Sequence, residues 1–596
     1  MKDSDCVKVT LRPSGATIAA TRGKSLLEIL TGKGIGIPAI CGGKGKCGKC
    51  KVRISEAQAS VMPTFLECSL LSDREIGLGY RLACQFIVNE DVEVQVSSDN
   101  KAESSQSSRL SLELGPSILP AVRKESLSVP KPSVEDQRSD LRRLTDGITV
   151  ENGRIRRLEL LKRLPSFLRE NDFTGTVTLY ENEIIDLRSK TDNSHILGVA
   201  IDIGTTTIAM YLLDLENAIV LDSRSIPNPQ SVYGQDVISR IDYAASPNGL
   251  TNLKNAIVEG LAKLSRDIIS DANVSSEQVY DVSVVGNTTM IHLLLGISPQ
   301  GIALSPFIPV TAEEMIFEPF EVHLQESFPN AKIYIMQGIS AYVGSDLVAG
   351  IIRINLENEK GNALLVDLGT NGEIILKSDS GMLAASTAAG PAFEGGHISN
   401  GMIAKRGAID HVWIDGKGKI SFSTILNSVT TGICGSGLLD TVAVLLEKGI
   451  LASSGKLSED PFVLHNELGA VTITQKDIRE VQLAKSAIRA GIEVLLSEAG
   501  ITYEELDRIF LAGAFGSFVN VSSAVRIGLL PDISTDRILS AGNAAGEGAC
   551  ICLLDRKARD LARALSNKIS YVELSGCKRF SEYFINFMTF PKEANS

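Results

Sequence analysis

The sequence has no run of eighteen or more apolar residues, and its opening Met1-Lys-Asp-Ser-Asp-Cys6 carries no apolar signal region. No transmembrane helix is therefore expected, and the chain is predicted to be cytoplasmic. Basic excess is missing as well. With 71 Asp and Glu against 59 Lys and Arg, the net charge is −12, which argues against a nucleic-acid partner. Tryptophan occurs once, at Trp413, and reads as packing. Spacings suited to a disulfide framework are lacking too. Cys41, Cys47, Cys50 and Cys84 crowd together at uneven intervals, which in a reducing cytosol reads as a metal site. Cys6, Cys434, Cys550, Cys552 and Cys577 stand apart and read as small buried hydrophobes.

What is present, first, is length. At 596 residues the chain exceeds one hydrophobic core, so three or more domains are expected. Residues 1–98 open with alternating Val7, Val9 and Leu11, turn at Pro13-Ser14-Gly15, place Leu26 to Leu30 on a short helix, and close on alternating Val92, Val94 and Val96. That is the order of a β-grasp domain. Residues 99–133 contain Ser104-Ser-Gln-Ser-Ser108 and Val129-Pro-Lys-Pro132 with no apolar period, and read as a flexible linker that lets the first domain swing. Residues 134–194 read as a small α+β middle domain. A helix is predicted from Ser133, whose spacing to Asp136 resembles a capping box. A second helix spans 158–168, disturbed by Pro165, and a strand pair turns near Asn182. From 195 to 596 strands and helices alternate, an α/β pattern. Two stretches there echo each other: Val199-Ala-Ile-Asp-Ile-Gly-Thr-Thr-Thr207 and Leu365-Val-Asp-Leu-Gly-Thr-Asn371. The echo predicts a duplicated fold with a cleft between its halves.

Cys41-Gly-Gly-Lys-Gly-Lys-Cys47-Gly-Lys-Cys50, followed much later by Cys84, gives C-x5-C-x2-C and a distant fourth cysteine. A [2Fe–2S] cluster takes four thiolates, and three on one loop plus one from a later segment match ferredoxin ligation. Gly42, Gly43, Gly45 and Gly48 let amide N–H groups turn toward sulfur, while Lys44, Lys46 and Lys49 offset negative charge. Four cysteines also bind zinc, although structural zinc usually draws on two close pairs. Cys68 is surplus and reads as a structural or incidental thiol. The loop, together with Gly79-Tyr-Arg-Leu-Ala-Cys84-Gln, resembles a [2Fe–2S] ferredoxin domain. Its first spacer is similar to the adrenodoxin type.

In the large region, Asp202-Ile-Gly204-Thr205-Thr206-Thr207 and Asp367-Leu-Gly369-Thr370-Asn371 each follow an apolar strand. A tight glycine turn there offers backbone donors and hydroxyls to phosphate, and the aspartates Asp202 and Asp367 suit Mg²⁺ or its waters. Alone, either motif is a common strand–turn; paired in order, they predict a triphosphate gripped from both sides. Ile509-Phe-Leu-Ala-Gly513-Ala514-Phe515-Gly516 suits close approach by an adenosine. Gly432-Ile-Cys-Gly435-Ser436-Gly437 and Gly286-Asn287-Thr288-Thr289 precede predicted helices and read either as interdomain connecting turns or as plain loops. Lys485 reads as a solvated helical lysine rather than one over the nucleotide, and His397 as a loop histidine with a backbone partner.

This order of loops resembles the actin, sugar kinase and Hsp70 (ASKHA) superfamily over residues 197–575. The whole chain resembles the reductive activators of corrinoid enzymes. Beyond both motif sets, Ser133 to Leu141, Ala389-Gly-Pro-Ala-Phe-Glu394-Gly395, Gln482-Leu-Ala-Lys485 and Gly542-Asn543-Ala-Ala-Gly546-Glu547-Gly548 are similar to stretches of that family. The resemblance implies ATP-dependent re-reduction of cobalt(II) to cobalt(I) in a corrinoid protein of a methyltransferase system, with an upstream electron donor. A form of the family with extra [4Fe–4S] clusters at the C-terminus does not fit, because only Cys577 follows Cys552. Activators of 2-hydroxyacyl-CoA dehydratases hold their cluster inside the ATPase domain, unlike this pattern. A small-molecule kinase with a fused redox sensor and a non-enzymatic electron carrier are the rival readings. The kinase needs a general base, and no single carboxylate declares itself. Oligomeric state stays open, with a homodimer through the large domain as one option.

Overall fold

The computed structural model describes residues 6–12, 15–31, 35, 37, 45, 50–55, 62–71, 73–95, 118–150, 153–466, 470–516 and 518–592. Strand Cys6–Arg12 pairs antiparallel with Thr17–Thr21 and parallel with Val92–Gln95. Period-two alternation turns Val7, Val9, Val92 and Val94 inward, against Leu26 and Leu30 of the helix Leu26–Thr31. The same alternation turns Cys6 outward, so this cysteine is exposed rather than buried as expected. The five-stranded sheet runs Thr17–Thr21, Cys6–Arg12, Val92–Gln95, Lys51–Ile54, Tyr80–Leu82, a β-grasp arrangement.

The segment expected to be linker up to residue 133 departs from that reading. Val122–Ser128 is a strand, paired over its whole length with Thr174–Tyr180, which in turn pairs with Glu183–Arg188. Only Val122 and Leu127 of this strand are buried, so its order comes from the neighbouring strand's hydrogen bonds rather than from its own apolar pattern. Of the predicted linker, residues 99–117 lie outside the described residues. Ser133 does accept the amides of Glu135 and Asp136 as a cap would, yet no helix follows. Asp136 is instead held by Arg138 and Arg143, and the helix Asp140–Asp146 starts from Ser139. Leu158–Glu170 passes through Pro165 unbroken and buries Leu160, Leu164, Phe167 and Leu168 on the three-stranded sheet.

Two six-stranded sheets follow. From Leu197–Ile203, antiparallel Thr207–Asp214 and Ile219–Pro227 lie on one side, and parallel Val279–Gly286 and Lys332–Ile335 on the other. From Asn362–Leu368, antiparallel Gly372–Ser378 and Gly381–Thr387 lie on one side, and parallel Leu506–Ala512 and Ile538–Gly542 on the other. The sequence echo is thus a structural duplication. In each half a helix follows the outer parallel strand, Ser345–Ile354 and Ala544–Leu554, and these two pack on each other between the sheets. Their approach is close enough that a Cβ on Gly548 would lie 2.1 Å from the Ala349 carbonyl oxygen. Cys550 and Cys552 are buried here and Cys434 elsewhere, as expected of small hydrophobes, whereas Cys577 is half-buried. Trp413 lies on the outward face of Ala408–Ile414 and is 44% exposed, so it is not core packing. No helix among the described residues is long and apolar enough to cross a membrane.

A buried polar knot joins the three-stranded sheet to the large region. The Arg559 guanidinium donates to Tyr180 Oη at 2.8 Å, to the Cys552 carbonyl at 2.7 Å, and to the Asp281 carboxylate. Burial pushes the Asp281 carboxyl up to about 6 against the pull of Arg559. Replacing Arg559 with Met leaves that carboxylate buried without its cation. The expected loss is about 3–5 kcal/mol, read as a lower midpoint in urea unfolding followed by circular dichroism.

Candidate functional site

In the β-grasp part, Cys50 immediately precedes Lys51–Ile54 and Cys84 follows Tyr80–Leu82. These strands are antiparallel with Lys51 opposite Leu82, and the Ala83 amide donates to the Cys50 carbonyl at 2.8 Å. The pairing register therefore brings the two sulfurs to 3.3 Å. Two thiolates on one tetrahedral metal at about 2.3 Å each stand about 3.7 Å apart, so the pair fits a shared metal ion with little movement. A buried ion pair fixes the second strand: Arg81 grips both Glu67 carboxylate oxygens, and Glu67 also accepts the Leu82 amide at 2.9 Å. Gly45 is buried at φ +68°, where a Cβ would meet the Gln85 side chain at 2.7 Å. Its backbone amide and the Gln85 side chain both hydrogen-bond the Cys84 sulfur. The Cys50 thiol, chief among these donors, brings Cys84 down to about 6 despite partial burial, favouring the thiolate that metals require. Cys68 is exposed on the helix Phe65–Leu70. Cys41 and Cys47, with Lys44, Lys46 and Lys49, lie outside the described residues.

The two Asp-x-Gly-Thr turns face each other across the cleft. In the first, the Gly204 amide donates to the Thr207 carbonyl at 2.9 Å, and a Cβ on Gly204 would sit 2.7 Å from that oxygen. Only glycine closes this turn. Asn228 donates to the Gly204 carbonyl and Arg240 to the Thr205 carbonyl, at 2.8 and 2.6 Å. Asn287, at the cap of the helix Thr288–Leu295, donates to the Thr205 hydroxyl at 3.0 Å. In the second turn, the Gly369 amide donates to the Asn371 carbonyl at 3.1 Å, and the Asn371 side chain hydrogen-bonds Glu373. The turns meet at Glu394, whose carboxylate accepts both the Thr206 and the Thr370 hydroxyl.

Beneath them carboxylates crowd together. Burial, then Asp346 and Asp367, push Asp202 up to about 8, although an Asn543 side-chain hydrogen bond opposes the shift. Burial and Asp346 push Asp367 up to about 7, and burial lifts Asp346 itself to about 6. Glu373 is raised by burial and by the same two aspartates. These carboxylates act on one another's charge, and a Mg²⁺ ion with its waters would relieve that repulsion.

Of the remaining predicted residues, Gly513 lies at this centre. A Cβ there would stand 2.5 Å from Asp367 Oδ1 and 2.8 Å from the Leu368 carbonyl oxygen. Gly516 is buried behind it against Leu511, and the side chain of Ala514 falls outside the described residues. Gly435 begins the helix Gly435–Glu447, which is fastened to the strand Ala408–Ile414: Ser436 donates to the Asp410 carbonyl, and a Cβ on Gly437 would meet the Ile409 carbonyl oxygen. Lys485 is not solvated. It is buried, donates to the Thr589 carbonyl at 2.6 Å and lies over the Phe590 ring; desolvation brings it down to about 7. His397 is exposed with Nδ1 3.7 Å from Glu480.

Asp346, Glu394, Arg240 and Asn543 join the site without a role assigned to them from the sequence. Asp346 follows Gly344-Ser345 at a helix start, a signal of the same kind as the two turns. Glu394 and Asn543 stood inside stretches singled out only for their resemblance.

Comparison with known proteins agrees with this layout. Residues 9–89 match the 2Fe-2S iron-sulfur cluster binding domain. Residues 114–194 match the RACo linker region, 197–359 the RACo middle region, and 361–596 the C-terminal domain of RACo, the ASKHA domain. The corrinoid activation enzyme RamQ of Eubacterium limosum is 32% identical over 599 residues, covering 93% of this chain and 94% of that one. The [Co(II) methylated amine-specific corrinoid protein] reductase of Methanosarcina barkeri is 27% identical over 65% of this chain and 75% of its own. The solved structure of a reductive activator for corrinoid, iron-sulfur protein is 33% identical and covers 99% of both chains with a TM-score of 0.75. With a cysteine pair fit for a cluster in front and a duplicated nucleotide cleft behind, the chain belongs to the RACo family of corrinoid-activating proteins.

Proposed function

We propose that this chain restores cobalt(I) in the oxidised, cobalt(II) form of a corrinoid protein of a methyltransferase system, and that ATP hydrolysis in the cleft drives the transfer. The observation that carries the reading is the pairing, in one chain, of the Cys50 and Cys84 sulfurs at 3.3 Å with two phosphate turns that meet across a cleft. Bound by Cys41, Cys47, Cys50 and Cys84, a [2Fe–2S] cluster supplies one-electron chemistry. Cobalt(I) corrinoids are strong reductants, so the transfer runs uphill, and each 100 mV of deficit costs about 2.3 kcal/mol per electron. Closure of the halves on a triphosphate is the means of offsetting that gap.

In this assignment residues 1–98 carry the electron and residues 195–596 turn over ATP. Gly204, Thr205, Thr206, Gly369, Thr370 and Asn371 take the phosphates; Asp202, Asp367 and Asp346 hold Mg²⁺; Gly513, Ala514 and Gly516 face the adenosine, with Gly435 backing the cleft. Arg240 keeps positive charge under the first turn through the Thr205 carbonyl. A cytoplasmic setting suits thiols kept free for a metal.

The test is anaerobic. Protein, ATP and a chemical reductant are added to a cobalt(II) corrinoid protein and its visible spectrum is followed. The cobalt(I) spectrum is expected with ATP and not without it. Equal reduction in both arms removes ATP from the mechanism.

A further inference from the structure

Glu394 stands where both phosphate turns touch the same atom. Its Oε2 accepts the Thr206 hydroxyl at 2.9 Å and the Thr370 hydroxyl at 2.8 Å, one from each half. Its backbone is pinned. Pro391–Glu394 is a single 3-10 turn with Ala392 and Phe393 buried, flanked by Gly390 and Gly395 at φ +78° and +77°. A Cβ on Gly395 would lie 2.5 Å from the Met402 amide nitrogen. Its carboxylate also accepts the Thr370 backbone amide and feels the charge of Arg240.

A threonine hydroxyl carries one proton. While Thr206 and Thr370 both donate to Glu394, neither donates to a phosphate. The carboxylate oxygen thus occupies the seat that an oxygen of the terminal phosphoryl group takes when both turns grip a triphosphate. We propose that Glu394 holds the seat of the terminal phosphate in the empty protein and, once displaced from it, accepts the proton of the attacking water.

This proposal rests on the ATP reading above and adds a residue with two duties. Repulsion between like charges moves the freed carboxylate off the phosphoryl oxygens, and the pinned backbone keeps it beside them, within reach of the attacking water. In the step itself the water oxygen bonds to the terminal phosphorus and the bond from that phosphorus to the bridging oxygen breaks. ADP and inorganic phosphate leave, and the water proton passes to Glu394.

The experiment compares E394Q and E394A with wild type in the full-length, cluster-loaded chain, using ATP and ADP as probes. Glutamine keeps an oxygen that accepts both hydroxyls but takes no proton from water. For E394Q, kcat of ATP hydrolysis is expected to fall about 100-fold or more, with KM for ATP within about threefold of wild type. E394A empties the seat, so ATP binding is expected to tighten relative to ADP by about tenfold while turnover stays low. A thermal unfolding midpoint of the ATPase part close to wild type reports that both variants fold. E394Q turnover within about threefold of wild type overturns the Glu394 assignment and leaves the proposed function standing. A wild-type chain that does not hydrolyse ATP overturns both.

Discussion

Asp202→Asn is expected to cut ATP turnover about 1,000-fold, the rate equivalent of about 4 kcal/mol of lost transition-state stabilisation, while leaving the visible spectrum of the cluster intact. The carboxylate leaves the first phosphate turn at the end of Leu197–Ile203 and shares its surroundings with Asp346 and Asp367. Asparagine is nearly isosteric and keeps one oxygen to meet Asn543, so the strand and the turn have no reason to rearrange. What disappears is one of the negative charges that a divalent cation bridging the phosphates requires. Stability is expected to hold or rise, because the substitution removes a like-charge neighbour from a crowded group. Coupled ATPase assays at several Mg²⁺ concentrations, with thermal unfolding in parallel, check both halves. A variant that loses turnover and unfolds early would return Asp202 to a structural role.

The second large effect falls at the other end of the chain. Cys84→Ser is expected to reduce bound iron to background and to abolish cobalt reduction, with ATP hydrolysis retained within about twofold. Cys84 shares its metal-facing position with Cys50, and serine lacks the polarisable thiolate that iron–sulfur ligation uses. The Glu67–Arg81 pair and the Ala83 amide set the backbone here, so the β-grasp core keeps its sheet when the sulfur is lost. Iron analysis and the visible spectrum read the first claim, the corrinoid assay the second. Wild-type iron content in the variant would move the fourth ligand away from Cys84. Taken with Asp202→Asn, this variant separates electron delivery from nucleotide turnover in opposite directions.

Much of this was legible in the residues because the chemistry restricts them tightly. Gly204 is forced by a carbonyl at 2.7 Å from any Cβ, and Thr206 and Thr370 by hydroxyl contacts, so the strand–Asp–x–Gly–Thr pattern appears twice and announces the duplication. The cysteine spacing was equally explicit, since sulfur ligands allow few substitutes. Elements that borrow their order were not legible. Val122–Ser128 is a strand because Thr174–Tyr180 supplies its hydrogen bonds, which no local pattern records. Asp136 reads as part of a cap, whereas Arg138 and Arg143 claim its carboxylate. Lys485 reads as solvated because helical spacing does not reveal that Thr589, 104 positions onward, and Phe590 close over it. Asp346 and Glu394 were missed for a related reason. Each is one acidic side chain on a loop or helix start, and only the folded cleft brings it beside the two turns.

The helices Ser345–Ile354 and Ala544–Leu554 touch backbone to side-chain hydrogen at Gly548 and Ala349, with no slack for another carbon. A joint so tight resists sliding and separation and leaves rotation as its easy motion. The two sheets therefore behave as the arms of a pair of tongs with a fixed rivet. Small turns at the rivet become larger travel at the jaws, where Thr206 and Thr370 stand.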